Sequence, residues 1–258
     1  MEEDSEAAVV AASNGKASTG KENLQSARAV RNALEALADP EKAAFFPRFF
    51  RTGKGEYGEG DRFLGVIVPS QRKVARQARG LSHSEIKRLL KSPLHECRLT
   101  ALFILVDEYQ RGDDETRDKV AALYLDQLDR VNNWDLVDSS AHKILGRHLE
   151  DGDRGLLYEL ADSGDRWRER VSIIATHDYI RKGDFQDTLR LADKLLDHDH
   201  DLIHKAVGWM VREVGKVDLD AMEKFLKNRY SKMPRTMLRY AIEKLPEKRR
   251  KAYLNGKI

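Results

Sequence analysis

From Ser26 onward, apolar positions recur with the three-to-four-residue spacing of amphipathic helices, and the alternation expected of half-buried strands is almost missing. The short run FLGVIVP, Phe63 to Pro69, is the one exception. Local punctuation agrees with helices. Ser82 with Glu85 three residues later reads as a capping box, Ser92 precedes Pro93, and Asp114, Asn133, Asp153, Asp165, Asp184 and Asp201 stand where helices should start. Gly80, Gly112, Gly152, Gly164 and Gly183 stand where helices should end. Taken in pairs, the starts recur at roughly 30 to 40 residues, the period of helical repeats whose apolar faces need a stacked neighbour. The expected fold is all-α, a curved solenoid of antiparallel helix pairs.

Two segments escape this pattern. Residues 1–25 mix small, acidic and amide side chains without an apolar face, which predicts a disordered tail and leaves 26–258 as a single repeat domain with a basic C-terminal end. That tail has neither the basic-then-apolar order of a secretory signal nor the arginines of a mitochondrial presequence. The stretch Arg51 to Pro69 holds five glycines and reads as a long connection. Without GxxxxGK[ST] spacing or a strand–loop–helix setting, it does not read as a nucleotide cradle.

Composition narrows the class. With 258 residues, 41% hydrophobic and 34% charged, the chain can bury one sizeable core, and no apolar run approaches the roughly 18 residues of a membrane-spanning helix. The lone Cys97 excludes an internal disulfide and a cysteine zinc cage, pointing to an intracellular setting. The net charge of +3 conceals a gradient: residues 224–258 carry twelve Lys/Arg against Glu243 and Glu247, while the first 25 residues are acidic. A basic end on a near-neutral body suits a phosphate backbone, or simply a solvated face.

Three helices carry candidate chemistry. The one starting at Asn133 places Trp134, Val137, Asp138, Ala141 and Leu145 in one sector, so a carboxylate sits in an apolar stripe. Asp138 must then be paired with a cation, such as an arginine of a neighbouring repeat, accept several hydrogen bonds, or line a cavity that a cationic centre enters. The helix starting at Asp201 directs Ile203, Ala206, Val207, Met210, Val211 and Val214 to the core, and groups Lys205, Trp209, Arg212 and Lys216 on the far side. That side suits a sugar or base flanked by phosphates, or packing of Trp209 beside solvated cations. The helix starting at Asp165 lines up Arg166, Arg170, His177 and Arg181 along an edge, which suits phosphate oxygens unless one of the arginines neutralises Asp138. His142, one turn beyond Asp138, is a candidate base or a satisfied histidine. The run DHDHDLIH, Asp197 to His204, resembles a metal cluster but lies where aspartates cap helices, so no metal is expected. No lysine shares the Asp138 sector, and no GxSxG or Cys/His nucleophile pattern occurs.

NNWDLVDSSAHKILG (132–146), WRERVSIIA (167–175), HKAVGWMVREVGK (204–216) and MPRTMLRYAIEKLP (233–246), with FLGVIVPSQR and HECRLTALFIL upstream, resemble the HEAT-like-repeat DNA alkylation-repair glycosylases of the AlkD type over about 26–246. The resemblance implies hydrolysis of the N-glycosidic bond of positively charged N3- or N7-alkylated purines, such as 3-methyladenine and 7-methylguanine, in duplex DNA. It also implies base excision repair without a cofactor and with the lesion left stacked or solvent-exposed, which agrees with the lack of any base-reading pocket in the sequence. It assigns the catalytic carboxylate to Asp138, the sugar-facing tryptophans to Trp134 and Trp209, a phosphate-facing arginine to Arg170, and the aromatic near the lesion, a tyrosine in the best-known form, to about Phe49. Lys205, Arg212, Lys216, Arg166, Arg181, Arg235 and Arg239 are then the expected DNA contacts. Water serves as nucleophile in a monofunctional, monomeric, cytoplasmic enzyme. The alternative is a non-catalytic helical-repeat module that binds DNA.

Overall fold

The computed structural model describes residues 23–258. Most of the acidic N-terminal stretch lies outside the described residues, and Leu24, near its end, is tied by its backbone N–H to the Gln77 carbonyl at 2.9 Å. Helices follow one another throughout: α1 (Ala27–Glu35), α2 (Pro40–Phe49), α3 (Val68–Gln77), α4 (His83–Leu90), α5 (His95–Arg111), α6 (Asp114–Asp126), α7 (Trp134–Ser140), α8 (Gly155–Ala161), α9 (Arg166–Ala175), α10 (His177–Arg181), α11 (Gln186–Lys194), α12 (Asp201–Val217), α13 (Leu219–Lys227), α14 (Arg235–Ala241) and α15 (Glu247–Leu254). A π-helical turn, His142–Gly146, follows α7. The apolar run at Phe63 to Pro69 forms no strand: Arg62 makes an isolated bridge to Leu94, and Val68 opens α3.

Helices α5, α7, α9, α12 and α14 form a row in which each packs on the next, flanked by α3 and α4, α6, α8, α11 and α13. This nearest-neighbour order is the helical solenoid. One continuous apolar core runs from Val30 to Tyr253. The core face of α12 is as the sequence predicts, with Ile203, Ala206, Val207, Met210, Val211 and Val214 all fully buried.

Several helix starts carry the expected caps. The Asp165 carboxylate accepts the N–H groups of Trp167 and Arg168 at 3.0 and 2.9 Å, and the Asn133 side chain accepts that of Trp134. Others differ. The capping box at Ser82 does not close, because Glu85 accepts the backbone N–H of Ala27 at 2.8 Å and so joins α4 to α1. Asp113 caps α6, one residue ahead of the expected Asp114, and the ring of His200 caps α12.

The glycine-rich connection has a defined shape. The backbone N–H groups of Leu64, Gly65 and Val66 converge on the Glu96 carboxylate at 3.1, 2.9 and 3.3 Å, so the loop cradles an anion that belongs to the protein itself. Gly65 has φ of 82°, and a Cβ there would lie 2.1 Å from the Asp39 carbonyl oxygen, so only glycine fits. Farther back in the loop, Asp61 is buried beside His95, Arg98 and Asn133. The connection is thereby fixed to both α5 and the start of α7.

Candidate active site

Asp138 lies in the middle of α7 and meets Arg170 of α9 across the repeat boundary. Nε and Nη2 of the guanidinium donate to the two carboxylate oxygens at 2.9 and 2.8 Å, and Nη1 donates to the Leu202 carbonyl. The pair joins three central helices. The structural pairing that the sequence left open is therefore present, yet the carboxylate is not sealed: its side chain keeps 18% of its exposure while Arg170 keeps 5%. A carboxylate has about four lone-pair sites, and the fork occupies two. Burial lifts the Asp138 carboxyl above its ordinary value, with the charge and hydrogen bonds of Arg170 pulling the other way.

Two cavities border this carboxylate. The first, about 420 Å³, is lined by Phe49, Trp134, Asp138, Arg170, Lys205, Trp209 and Arg212, together with Arg51, Tyr57 and Tyr240. Seven expected site residues thus come together from α2, α7, α9 and α12. Trp134 stacks on Phe50 with centroids 5.3 Å apart and meets Phe49 edge-on at 5.7 Å. Phe49 is 52% exposed at the lip. The Trp209 indole N–H donates to Glu213 at 2.9 Å, which fixes the ring against the cavity.

The second cavity, about 520 Å³, shares Phe49, Trp134 and Asp138 with the first. Its walls are apolar: Phe46, Phe50, Phe63, Val66 and Leu99. Arg72 and Lys143 stand on its border. No pattern in the sequence announced this space, because its walls come from α2, the glycine connection, α3, α5 and α7 at once.

The expected DNA contacts divide. Arg170 is 4% exposed and three of its N–H groups are spent inside the protein, so its guanidinium holds Asp138 at the border of the first cavity and is not displayed on the outer surface. On α12 the cations are paired: Lys205 with Asp201 at 2.6 Å, Arg212 with Glu243 and Glu213, and Lys216 with Glu213 at 2.7 Å. The expected edge of α9 is interrupted, since the chain turns at Thr176 and restarts as α10. Arg181 consequently lines a different hollow with Arg117, Arg147 and Lys182. Arg166 borders the His200 region, where burial, aided by the charge of Arg166, depresses the imidazole below its ordinary value. Arg235 is exposed and bonded to the Leu254 carbonyl, and Arg239 is exposed on α14 beside Tyr240 of the first cavity.

The histidines singled out by the sequence are engaged elsewhere. His142 donates to Asp178 at 3.1 Å and lines neither Asp138 cavity. Burial pushes its imidazole down. His142, His177 and Asp178 form a group compact enough for a metal, and Arg147 donates to the other Asp178 oxygen at 2.7 Å, so the carboxylate already has a cationic partner. In the DHDHDLIH run, His198 bonds Glu169, and His200 caps α12.

Several site residues were not foreseen. Tyr57 and Arg51, from the glycine connection, border the first cavity, and Tyr57 meets Trp167 edge-on at 5.9 Å. A phenol hydroxyl thus stands in the cavity that contains Phe49, and burial raises its pKa. An isolated tyrosine between glycines carries no periodic signal that would have identified it. Lysine is also nearer than the helix sector implied: Lys143 borders one cavity and Lys205 the other. The π-turn, whose Gly146 N–H reaches the Ala141 carbonyl at 2.9 Å, shifts the register beyond Asp138 from that of a regular α-helix. Burial lowers the Lys143 pKa.

A family model described as DNA alkylation repair enzyme matches residues 30–245. Among solved structures, "Predicted DNA alkylation repair enzyme from Enterococcus faecalis" is similar with a TM-score of 0.62 at 19% sequence identity, over 81% of this chain and 97% of that chain. At that identity the likeness concerns the fold. No curated protein matches the chain.

Proposed function

The chain belongs to the DNA alkylation repair enzyme family, and on that premise we propose that it is a monofunctional DNA glycosylase that releases cationic N3- and N7-alkylated purines, such as 3-methyladenine and 7-methylguanine, from duplex DNA. The observation that carries this reading is a carboxylate, Asp138, gripped by Arg170 yet bordering a cavity between Trp134 and Trp209.

An alkylated purine already bears positive charge, so its departure needs little acid assistance, and charge passes to the deoxyribose as an oxocarbenium ion. The Asp138 anion stabilises that cation, and its unfilled lone-pair sites orient the attacking water. The Arg170 fork fixes the carboxylate's direction. Trp134 and Trp209 offer their π faces to the sugar as charge grows, and Phe49 and Tyr57 close the cavity. No step calls for a cofactor. The lesion stays stacked or exposed to solvent until the bond breaks, and the protein works as a monomer in the cytoplasm, on the chromosome.

Base release from a 7-methylguanine duplex tests the reading. Asp138→Asn should abolish release while largely preserving duplex affinity, and equal release by both proteins would overturn the assignment. The buried ion pair also favours a second reading, a DNA-binding module in which Asp138 is purely structural, and that module releases no base in the same assay. Borohydride trapping tests the nucleophile. Lys143 and Lys205 border the site, and a covalent adduct with either would replace water by an amine.

A further inference from the structure

The two places where the regular helices break, the π-turn after α7 and the restart of the chain at Thr176, lie against each other. A Cβ on Gly146, the last residue of the π-turn, would stand 2.2 Å from the Ala175 carbonyl oxygen, so only glycine lets the two backbones meet. Such turns concentrate at functional sites, because the extra residue re-aims the side chains around it. Here the first residue of the turn is His142, and the first two residues of α10 are His177 and Asp178.

These three side chains converge. His142 Nδ1 lies 3.1 Å from Asp178 Oδ1, and His177 Nδ1 lies 3.8 Å from the same oxygen. One ligand atom of each residue falls within 4.8 Å of the other two. At 3.8 Å the His177 nitrogen is out of hydrogen-bond reach of Asp178, and it is buried with no partner among the described residues. Whichever tautomer that ring adopts, a donor or a lone pair is left unmet, which is costly in the interior.

Bond lengths decide what could meet it. Zinc bonds imidazole nitrogen at about 2.0–2.1 Å and carboxylate oxygen at about 2.0–2.2 Å, so tetrahedral ligand atoms stand roughly 3.3 Å apart. The separations of 3.1 and 3.8 Å bracket that figure. An ion at such distances sits among its ligand atoms and not in a water-sized void, so a nitrogen closed to solvent can still hold it. The side chains of His142 and His177 keep 15% and 20% of their exposure, which leaves an entry path. Arg147 donates to Asp178 Oδ2 at 2.7 Å, which orients the carboxylate and leaves Oδ1 free for the ion. The guanidinium side chain is 39% exposed, so water screens its charge.

We propose that His142, His177 and Asp178 bind one divalent ion of the zinc class through Nδ1, Nδ1 and Oδ1, with water in the fourth position. Each imidazole turns its Nδ1 lone pair to the ion and keeps its proton on Nε2. Two imidazoles suit zinc and its transition-metal neighbours, whereas magnesium and calcium take oxygen ligands. The ion ties the π-turn to α10. His177 carries that tie to Trp209, whose ring it meets at 5.9 Å on the wall of the first cavity. The site is separate from Asp138, and the inference does not rest on the glycosylase reading.

Calorimetric titration of the full chain, stripped with EDTA, tests this with Zn2+ alone. The wild type should take up one ion per chain, and excess Mg2+ should not displace it. His177→Gln and His142→Gln should each weaken uptake by more than about tenfold, beyond the loss of a mere supporting contact. Co2+ in place of Zn2+ should give the strong visible absorption of a four-coordinate ion, lost in His177→Gln. Saturating Zn2+ should raise the melting temperature of the wild type and leave that of His177→Gln unchanged. No uptake by the wild type, or undiminished uptake by either variant when circular dichroism reports an intact fold, would overturn the proposal. His198→Gln should bind as the wild type does. Loss of uptake in that variant alone would place the ion in the Asp197–His204 run and overturn the assignment equally.

Discussion

At the scale of single residues, the Asp138–Arg170 pair is both the strongest support for a catalytic carboxylate and the strongest reason to doubt that Arg170 reaches DNA. Burial raises the Asp138 pKa, so the anion is lost at higher pH than for an ordinary carboxylate. Single-turnover excision should therefore fall on the acid side with its limb displaced upward from the ordinary aspartate range, and a limb within or below that range would contradict a role for the buried anion. Truncating the partner leaves an uncompensated buried charge. Arg170→Ala should destabilise the fold by roughly 3–5 kcal/mol in chemical denaturation, with part of that loss recovered when Asp138→Asn is added. If Arg170 acts only through Asp138, the salt slope of DNA binding should not move in this variant, whereas loss of a phosphate contact would flatten it by about one unit.

At the scale of elements, what was legible in the sequence was what is local. Asn133 and Asp165 announce their helices because a cap acts within three residues, and the core face of α12 follows from its spacing alone. The break at Thr176 and the π-turn after α7 were not legible, since no residue type encodes them uniquely, and both redirect side chains that the helix wheel had placed: Arg181 leaves the α9 edge, and Lys143 reaches the Asp138 chamber. The glycine connection was least legible, because its anchors lie more than thirty residues away. There His95 donates to Asp61 at 2.9 Å and to Asp135 at 2.8 Å, clamping the connection and α7 to α5. Burial alone would lower its pKa, but the charge of Asp135 and both hydrogen bonds push it up to about 9, against the opposing charge of Arg98. For Asp61, burial is outweighed by His95 and Arg98, which hold it ionised. A raised folded-state value means that this clamp contributes its full stability below pH 6.5 and loses it as pH rises through about 9, on the order of 3 kcal/mol in all. Denaturation midpoints measured across that interval should decline in the wild type and stay flatter in His95→Gln, and parallel curves would show that the imidazolium is not what holds the connection.

At the scale of the whole molecule, a net charge of +3 is a poor guide to where a duplex would lie, because many cations are already neutralised inside the protein. Arg212 is paired with Glu243 and Glu213, and Lys216 with Glu213, so the α12 stripe that looked most basic in sequence projects little free charge. Arg72 and Arg239, by contrast, are exposed and have no carboxylate partner among the described residues; Arg72 lines the second cavity, and Arg239 precedes Tyr240, which lines the first. A duplex spanning both cavities would find Arg72 and Arg239 without a carboxylate to displace, whereas Lys205 and Arg212, which line the first cavity, are already paired. Each phosphate neutralised contributes about 0.9 to the slope of log affinity against log salt. Arg72→Ala and Arg239→Ala should each flatten that slope by about one unit, and Arg212→Ala should leave it nearly unchanged because its loss also frees Glu243. If Arg212→Ala instead flattens the slope as much as Arg239→Ala does, the ion pairs of α12 open on binding and the duplex sits across that helix.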